Sequence, residues 1–219
     1  MNAITAPLRE LAEFEEGQAL LKKERACIGF TGCVDSQKLH MAYGLSDGFR
    51  YKIIVTFSDL KAREIYEDYQ FYDRDVTLYP AKDLIFYHAD IHGNQLVTDR
   101  MKALRKIIEG KPLTVITTFA ALMSPQVPLE EIAASVIHID GDSRLDEGSL
   151  ARSLTQMGYE KNYQVDAPGQ FSIRGGIIDI FDLTEENPYR IELWGEEVES
   201  IRSFDLLSQR SVEKLANVD

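Results

Sequence analysis

The sequence has few cysteines and no long apolar run. Its two cysteines, Cys27 and Cys33, cannot form a framework of several disulfides, and we expect them to be buried free thiols in a reducing cytoplasm. No apolar stretch approaches the roughly 20 residues that a membrane span requires. The acidic N-terminus, which is interrupted by Pro7, does not fit a signal peptide. These absences predict a cytoplasmic protein with no membrane contact.

Positive charge is scarce, above all in the second half of the chain. The sequence has 24 Lys and Arg against 36 Asp and Glu, which gives a net charge of −12. Residues 125–219 hold 8 of the basic and 19 of the acidic residues, so they carry −11 of that charge. Nucleic-acid affinity rests on neutralising phosphates with Lys and Arg. This half is therefore expected to favour a basic protein surface, although solubility alone is the simpler explanation of its charge.

The first half alternates apolar, β-rich runs with helical patterns. Ser58 is placed to cap a helix, and a second helical pattern with Val97 and Leu104 on one face stops at Gly110. Strands that alternate with helices form mostly parallel sheets. We therefore predict a parallel-sheet α/β domain with a first helix near 7–21 and strands at 27–30, 51–57, 76–79 and 113–118.

The composition changes near 124–128, where two prolines fall within four residues. A strand around 136–139 follows, and then a helix from about Asp146 to Met157 with Gly158 as its C-cap. The paired strands of the segment 169–205 come next. The second half is therefore predicted to be a smaller, mainly antiparallel α+β domain.

The segment 169–205 contains the chain's single tryptophan and alternates apolar with polar residues. In a strand, successive side chains point to opposite faces. If Tyr189 and Ile191 face the core, Arg190 and Trp194 share the opposite face. An exposed Trp beside an Arg has the composition of a protein-binding hot spot. An ordinary hairpin with solvated arginines is the alternative.

The motifs of this segment resemble a known family. FSIRGGIIDIF, which contains Arg174, is followed by NPYRIELWGEEVESIRSFD, which contains Arg190 and Trp194. This order is similar to the second domain of the bacterial transcription-repair coupling factors (Mfd), a domain shared with the excinuclease protein UvrB. The run YPAKD, which begins at Tyr79, resembles a signature of the same family's first domain.

The resemblance implies a division of the chain into three parts. Residues 1–123 would be the first part of a degenerate, helicase-like domain of the P-loop NTPase type. Residues 124–211 would be an α+β domain that binds the excinuclease protein UvrA. Residues 212–219 would begin a segment that returns to the first domain. The chain is then expected to be an N-terminal fragment of a longer protein that carries a motor.

The stretch GFTGCVDS, which begins at Gly29, stands where a phosphate-binding loop belongs, after a predicted strand and before a possible helix. Gly29, Gly32 and Ser36 fit the pattern of such a loop. Asp35 replaces the lysine that binds the β- and γ-phosphates, and Val34 replaces the last glycine. Because a carboxylate repels a triphosphate, we expect no nucleotide hydrolysis and no cofactor. The coupling factors resemble this degenerate version, and their ATP site lies in another module.

Two further patterns fall between residues 86 and 100. The stretch is too short for the aromatic-rich hairpin with which UvrB clamps damaged DNA, which again resembles the coupling factors. His88, Asp90 and His92 alternate as metal ligands on one strand face can do. A third protein ligand would still be needed, so we favour a solvated loop and predict no metal site.

The resemblance implies a non-catalytic module that recruits UvrA to stalled RNA polymerase in transcription-coupled nucleotide excision repair. Arg174 and Arg190 would bind carboxylates of the partner, and Trp194, at a position that is usually Phe in the family, would fill an apolar pocket. In the full-length family a C-terminal domain covers this face, and other modules contact RNA polymerase and DNA. The alternative is a nucleotide-dependent protein that handles DNA damage, like UvrB.

Overall fold

The structure, a computed structural model, describes residues 3–23, 25–81 and 90–219, and for residues 90–94 it describes the backbone alone. The chain folds into two compact units, residues 1–125 and residues 126–219. The division falls inside the proline-containing segment at 124–128.

The first unit is built on a parallel sheet of three strands in the order β1, β3, β2. Helices alternate with these strands along the chain, as the sequence pattern predicts. The elements are a 3-10 helix at Ala6–Glu10, α1 at Ala12–Leu21, α2 at Asp35–Leu45, β1 at Tyr51–Thr56, α3 at Asp59–Tyr69, β2 at Val76–Tyr79, α4 at Asp90–Ile108, β3 at Leu113–Thr118 and α5 at Phe119–Met123.

Helix α3 shows how local sequence and packing agree in this unit. Its N-cap is Ser58, whose hydroxyl accepts a hydrogen bond from the backbone N–H of Lys61 at 3.3 Å, which satisfies one of the free donors of the first turn. Ala62 and Tyr69 on its apolar face are fully buried against the sheet core, which includes Ile116 of β3.

Three local predictions for the first unit are wrong. Residues 27–30 form no strand, because a strand requires a neighbour to pair with and these residues have none among the described parts of the chain. The helix predicted near 7–21 is two helices, separated by the extended Leu11. The cysteines are not buried, since Cys27 is exposed and Cys33 is half-buried.

The second unit is built on a six-stranded sheet in the order β10, β9, β8, β7, β6, β5, antiparallel except for the parallel pair β5 and β6. A small antiparallel pair, β4 with β11, completes the unit. The elements are α6 at Leu129–Ala134, β4 at Ile139–Asp140, α7 at Glu147–Gln156, β5 at Glu160–Lys161, β6 at Gln170–Arg174, β7 at Ile177–Phe181, β8 at Tyr189–Trp194, β9 at Glu197–Phe204, β10 at Ser211–Lys214 and β11 at Asn217–Val218.

Helix α7 covers one face of this sheet and buries its apolar side chains there. Asp146 caps the helix by accepting a hydrogen bond from the N–H of Ser149 at 2.8 Å, and Gly158 follows it with a φ of +95°, the left-handed conformation that glycine adopts without strain. Leu150 and Leu154 join a core of strand residues whose members include Phe171, Ile178, Ile191 and Ile201.

The chain is therefore a mixed α/β protein with a parallel sheet first and mainly antiparallel sheets second, and this much of the predicted fold class is confirmed. The assignment of the first unit to the helicase-like, P-loop NTPase type stays a prediction. Residues 212–219 pair with β9 and β4 inside the second unit, and their predicted return to the first unit also stays a prediction.

Candidate protein-docking face

The candidate site lies on the face of the six-stranded sheet that points away from α7. Cross-strand pairing aligns Ser172, Asp179, Arg190 and Arg202 in one row across β6, β7, β8 and β9. The alternate residues of β8 point into the core, where Tyr189 is 8% exposed and Ile191 is fully buried. The alternation predicted for this strand is therefore confirmed, and we call the opposite side the outer face.

Both predicted arginines converge on one buried carboxylate, that of Asp179. Arg190 binds it with two hydrogen bonds, from Nε to Oδ1 at 2.6 Å and from Nη2 to Oδ2 at 2.8 Å. Arg174 adds a third, from Nη2 to Oδ2 at 2.9 Å. The side chain of Asp179 is 1% exposed, that of Arg190 is 15% exposed and that of Arg174 is 36% exposed. The outer face thus carries an Arg–Asp–Arg cluster with a net charge of +1.

Sequence reasoning missed Asp179, although a signal for it was present. An acidic residue in the middle of the apolar run IIDIF is costly to bury unless it is paired. Its neighbours Ile178 and Ile180 face the core, so Asp179 faces the opposite side of β7. Because β7 and β8 pair at Asp179 and Arg190, this is the side that carries the arginines. The sequence predicts that Arg174 and Arg190 reach carboxylates of a partner, yet each already has an internal one.

The surroundings of Arg190 fix its guanidinium further. The plane lies over the ring of Phe204, with Cζ at 4.3 Å from the ring centroid, and Nη2 also donates to Oε1 of Gln209 at 3.1 Å. The hydrogen bond to Asp179 raises the pKa of Arg190 above its ordinary value. Within the described residues, Nη1 of Arg190 donates no hydrogen bond, so two N–H groups of a rigidly held cation remain available.

Arg174 is accompanied by an exposed aromatic ring. Its Cζ lies 5.6 Å from the centroid of Tyr163, within the range of a cation–π contact, and Tyr163 is 83% exposed. The backbone at Tyr163 is held in place because the hydroxyl of Ser172 donates to its carbonyl oxygen at 2.8 Å. Tyr163 follows β5, and no pattern in the sequence indicates that this segment contacts β6.

Trp194 ends β8 and is 79% exposed, as predicted. It stands opposite Glu197 across a tight turn in which Gly195 has a φ of +67°. Glu192 pairs with Ser200 and Leu193 with Val198, so β9 carries one extra residue, Glu199, at this point, and an extra residue of this kind bends the strand that contains it. Arg202, on the neighbouring strand β9, is paired with Glu192.

The stretch at 29–36, which the sequence predicts to be a degenerate phosphate loop, lies in the first unit. Gly32 has a φ of +79° and Asp35 begins α2, so the helix predicted after this stretch is confirmed, whereas the strand predicted before it is absent. The Asp35 carboxylate binds Lys38 at 2.9 Å and lies 3.6 Å from Lys61. The hydrogen bond from Lys38 lowers the pKa of Asp35 below its ordinary value. Lys38 and Lys61 are thus both paired with the carboxylate at the start of α2.

The predicted metal pattern cannot be placed, because His88 lies outside the described residues and the side chains of Asp90 and His92 do as well. In the remainder of the chain, no group of three His, Cys, Asp or Glu side chains is arranged to hold a metal ion. Among the described helices, none combines the length and the hydrophobicity required to cross a membrane.

Comparison with known proteins defines the class of the second unit. The model of a family described as the UvrB interaction domain matches residues 137–219. This range contains α7, the whole six-stranded sheet and every residue of the outer face. The sheet and its Arg–Asp–Arg cluster therefore belong to a UvrB interaction domain.

Three relatives extend the identification to the rest of the chain. The transcription-repair-coupling factor of Bacillus subtilis (strain 168) is 37% identical over 168 residues, which cover 76% of this chain and 14% of the relative. That of Staphylococcus aureus (strain MRSA252) is 29% identical over 222 residues, covering 100% and 19%. That of Myxococcus xanthus is 34% identical over 141 residues, covering 64% and 12%.

The chain belongs to the family of transcription-repair-coupling factors and corresponds to the N-terminal region of those proteins. It spans between 12% and 19% of the length of the three relatives.

Proposed function

We propose that this chain is the docking module of a transcription-repair coupling factor. Its second unit recruits the excinuclease protein UvrA to stalled RNA polymerase in transcription-coupled nucleotide excision repair, and the module itself is not catalytic. The observation that carries the proposal is the outer face of a UvrB interaction domain, on which Arg174, Arg190 and the exposed Trp194 accompany a buried carboxylate.

The arginines act as a fixed donor array. Binding usually costs the ordering of long side chains, about 0.5–1.5 kcal/mol for each one immobilised. Arg190 has met most of this cost in the free protein, because Asp179 and Gln209 already hold it. Its free Nη1 group and the remaining donors of Arg174 donate charge-assisted hydrogen bonds to carboxylates of the partner. A net positive site on an acidic domain also defines where an acidic patch of the partner binds.

Trp194 supplies the apolar anchor. Its side chain is 79% exposed, so burial in a pocket of the partner removes a large apolar surface from water, which is the property of a hot-spot tryptophan. The tight turn that follows it restricts its backbone. The arginines therefore provide register and the indole provides apolar burial on the same face.

The first unit takes no part in nucleotide chemistry in this proposal. Asp35 stands where a phosphate-binding lysine is needed and pairs with Lys38 and Lys61, so the loop presents a carboxylate in place of a free cation. Other modules of the full-length protein contact RNA polymerase and DNA, and its C-terminal domain contacts the outer face when UvrA is absent.

Titration calorimetry with purified UvrA tests the proposal. The double variant Arg190→Ala, Trp194→Ala removes one polar and one apolar anchor. Because Arg190 also neutralises the buried Asp179, the single variant Trp194→Ala, which leaves that ion pair intact, must weaken binding as well. Each hot-spot truncation costs about 2–4 kcal/mol, so we expect the dissociation constant to rise at least about thirtyfold. The matched control is Phe57→Ala, Arg63→Ala in the first unit, where Phe57 is 83% exposed and Arg63 is exposed.

The control variant should bind like the unaltered chain. If the Arg190, Trp194 variant also binds with unchanged affinity, or if the unaltered chain does not bind at all, the outer face is not the docking site. ATP turnover by the chain, with or without DNA, would instead favour an enzyme that resembles UvrB.

A further inference from the structure

Tyr163 is an aromatic residue beside the outer face, and no sequence motif indicates a role for it. It is 83% exposed, although the segment around it is firmly held. The hydroxyl of Ser172 donates to its carbonyl oxygen at 2.8 Å. Two residues later, Val165 is 1% exposed and anchors the segment in the interior.

Further hydrogen bonds brace the same segment. The backbone N–H of Asn162 donates to the carbonyl oxygen of Phe171 at 2.9 Å. The N–H groups of Asp166 and Ala167 both donate to Oε1 of Gln170, at 2.9 and 3.1 Å. The ring of Tyr163 is thus exposed to water, while the backbone before and after it is held by hydrogen bonds. The fold therefore fixes the position of this side chain.

The ring also has a defined neighbour. Arg174 places its guanidinium carbon 5.6 Å from the ring centroid, and Arg174 is itself one of the proposed contact residues. Tyrosine has few rotatable bonds, so it offers a large contact area at low entropic cost. In the order of the strands, Tyr163 follows β5, beyond the cluster residue Arg174 on β6, whereas Trp194 lies on β8, the strand of Arg190.

We infer that Tyr163 is a further contact residue for UvrA, and that the docking face extends past β6 to the segment that follows β5. The inference rests on the proposed function of this face. The partner surface it fits has an apolar or aliphatic patch next to the carboxylate that receives Arg174. One face of the ring lies against the guanidinium of Arg174, and the opposite face packs on that patch.

The test compares Tyr163→Ala with Tyr163→Phe in titrations with purified UvrA. We expect Tyr163→Ala to raise the dissociation constant about tenfold and Tyr163→Phe, which keeps the ring, to bind within about twofold of the unaltered chain. Phe71→Ala is the matched control, because Phe71 is also 83% exposed but lies in the first unit. Truncation at such exposed positions should leave the thermal unfolding of all three variants unchanged.

A second measurement separates direct contact from support of Arg174. Tyr163→Ala is repeated in an Arg174→Ala background, as in a double-mutant cycle. A loss of at least about threefold in that background supports a ring that touches the partner. If the loss disappears, the ring acts only through Arg174 and the inferred contact is wrong. If Tyr163→Ala binds normally while Arg190→Ala, Trp194→Ala does not, this inference fails and the proposed function stands. If the unaltered chain does not bind, both fail.

Discussion

Replacing Asp179 by asparagine should destabilise the second unit more than any surface charge change on the same sheet. The substitution keeps the shape of the side chain but removes the charge that two arginines share. Asparagine can still accept hydrogen bonds through Oδ1, but its amide nitrogen cannot accept from either guanidinium. Arg190, whose side chain is 15% exposed, would lose its hydrogen-bonded counter-charge and remain next to the equally positive Arg174.

The size of the effect follows from burial. Breaking a buried ion pair by removing one partner costs about 3–5 kcal/mol. The contribution of Arg174 is small, since its side chain is 36% exposed and can turn to water. The bidentate pair with Arg190 supplies most of the cost. We expect a loss of about 3 kcal/mol in the free energy of unfolding.

Hydrogen exchange read by mass spectrometry is the suitable assay, because it reports the stability of individual strands in a chain of two units. Amides of β7 and β8 should exchange about a hundredfold faster in Asp179→Asn, since 1.4 kcal/mol corresponds to a factor of ten. Peptides from the first unit should be unaffected. Glu197→Gln is the control, because it removes a carboxylate of the same sheet whose partner Arg144 is exposed.

The control should exchange like the unaltered chain. An effect of Asp179→Asn below about 1 kcal/mol, which is the range of exposed ion pairs, would mean that Asp179 does not hold the arginines. The description of the outer face as a prearranged donor array would then be wrong.

The remaining predictions concern three other places. Ser58→Ala should destabilise the first unit by about 1 kcal/mol and Ser58→Gly by only a few tenths; equal losses in thermal unfolding would contradict a capping role. The hydrogen bond to Asp219 raises the pKa of His138. Its stabilisation of the β4–β11 pair is therefore fully present below about pH 6.5, the ordinary pKa of histidine. This stabilisation is lost as the pH rises through the raised pKa of the folded state. A proton NMR titration should show that Asp219→Asn lowers the pKa of His138, and an unchanged pKa would refute the pairing. The chain should neither bind nor hydrolyse ATP, and nucleotide-induced changes in the spectra of residues near Asp35 would contradict this.

Periodicity in the sequence predicted those parts of the fold that depend on local pattern. The alternation in 189–194 gave the buried and exposed sides of β8 correctly, and the cap at Ser58 and the stop at Gly158 were also predictable. These features depend on residues close to one another in the chain. The predicted strand at 27–30 failed for the opposite reason. Its residues have the right composition, but whether they pair is decided by distant segments.

The chemistry of the candidate site could be predicted only in part. Arg174, Arg190 and Trp194 were identified, and their role in binding stays a prediction. The pairing of both arginines with Asp179 follows from the register of β6, β7 and β8, and a shift of one residue would send Asp179 into the core. The approach of Tyr163 to Arg174 depends on a loop whose path is not encoded in any short pattern. Side-chain types were thus readable from the sequence, and their mutual contacts were not.

The exposed indole of Trp194 also makes the protein its own spectroscopic probe. It is the only tryptophan in the 219 residues, so fluorescence excited at the red edge of the absorption band comes from one point on the outer face. At 79% exposure, that emission belongs to an indole in water. Occupation of the face would shift it to the blue, whereas events confined to the first unit would leave it unchanged. Docking can therefore be followed in real time on the unlabelled chain, provided that the partner's own tryptophan signal is subtracted.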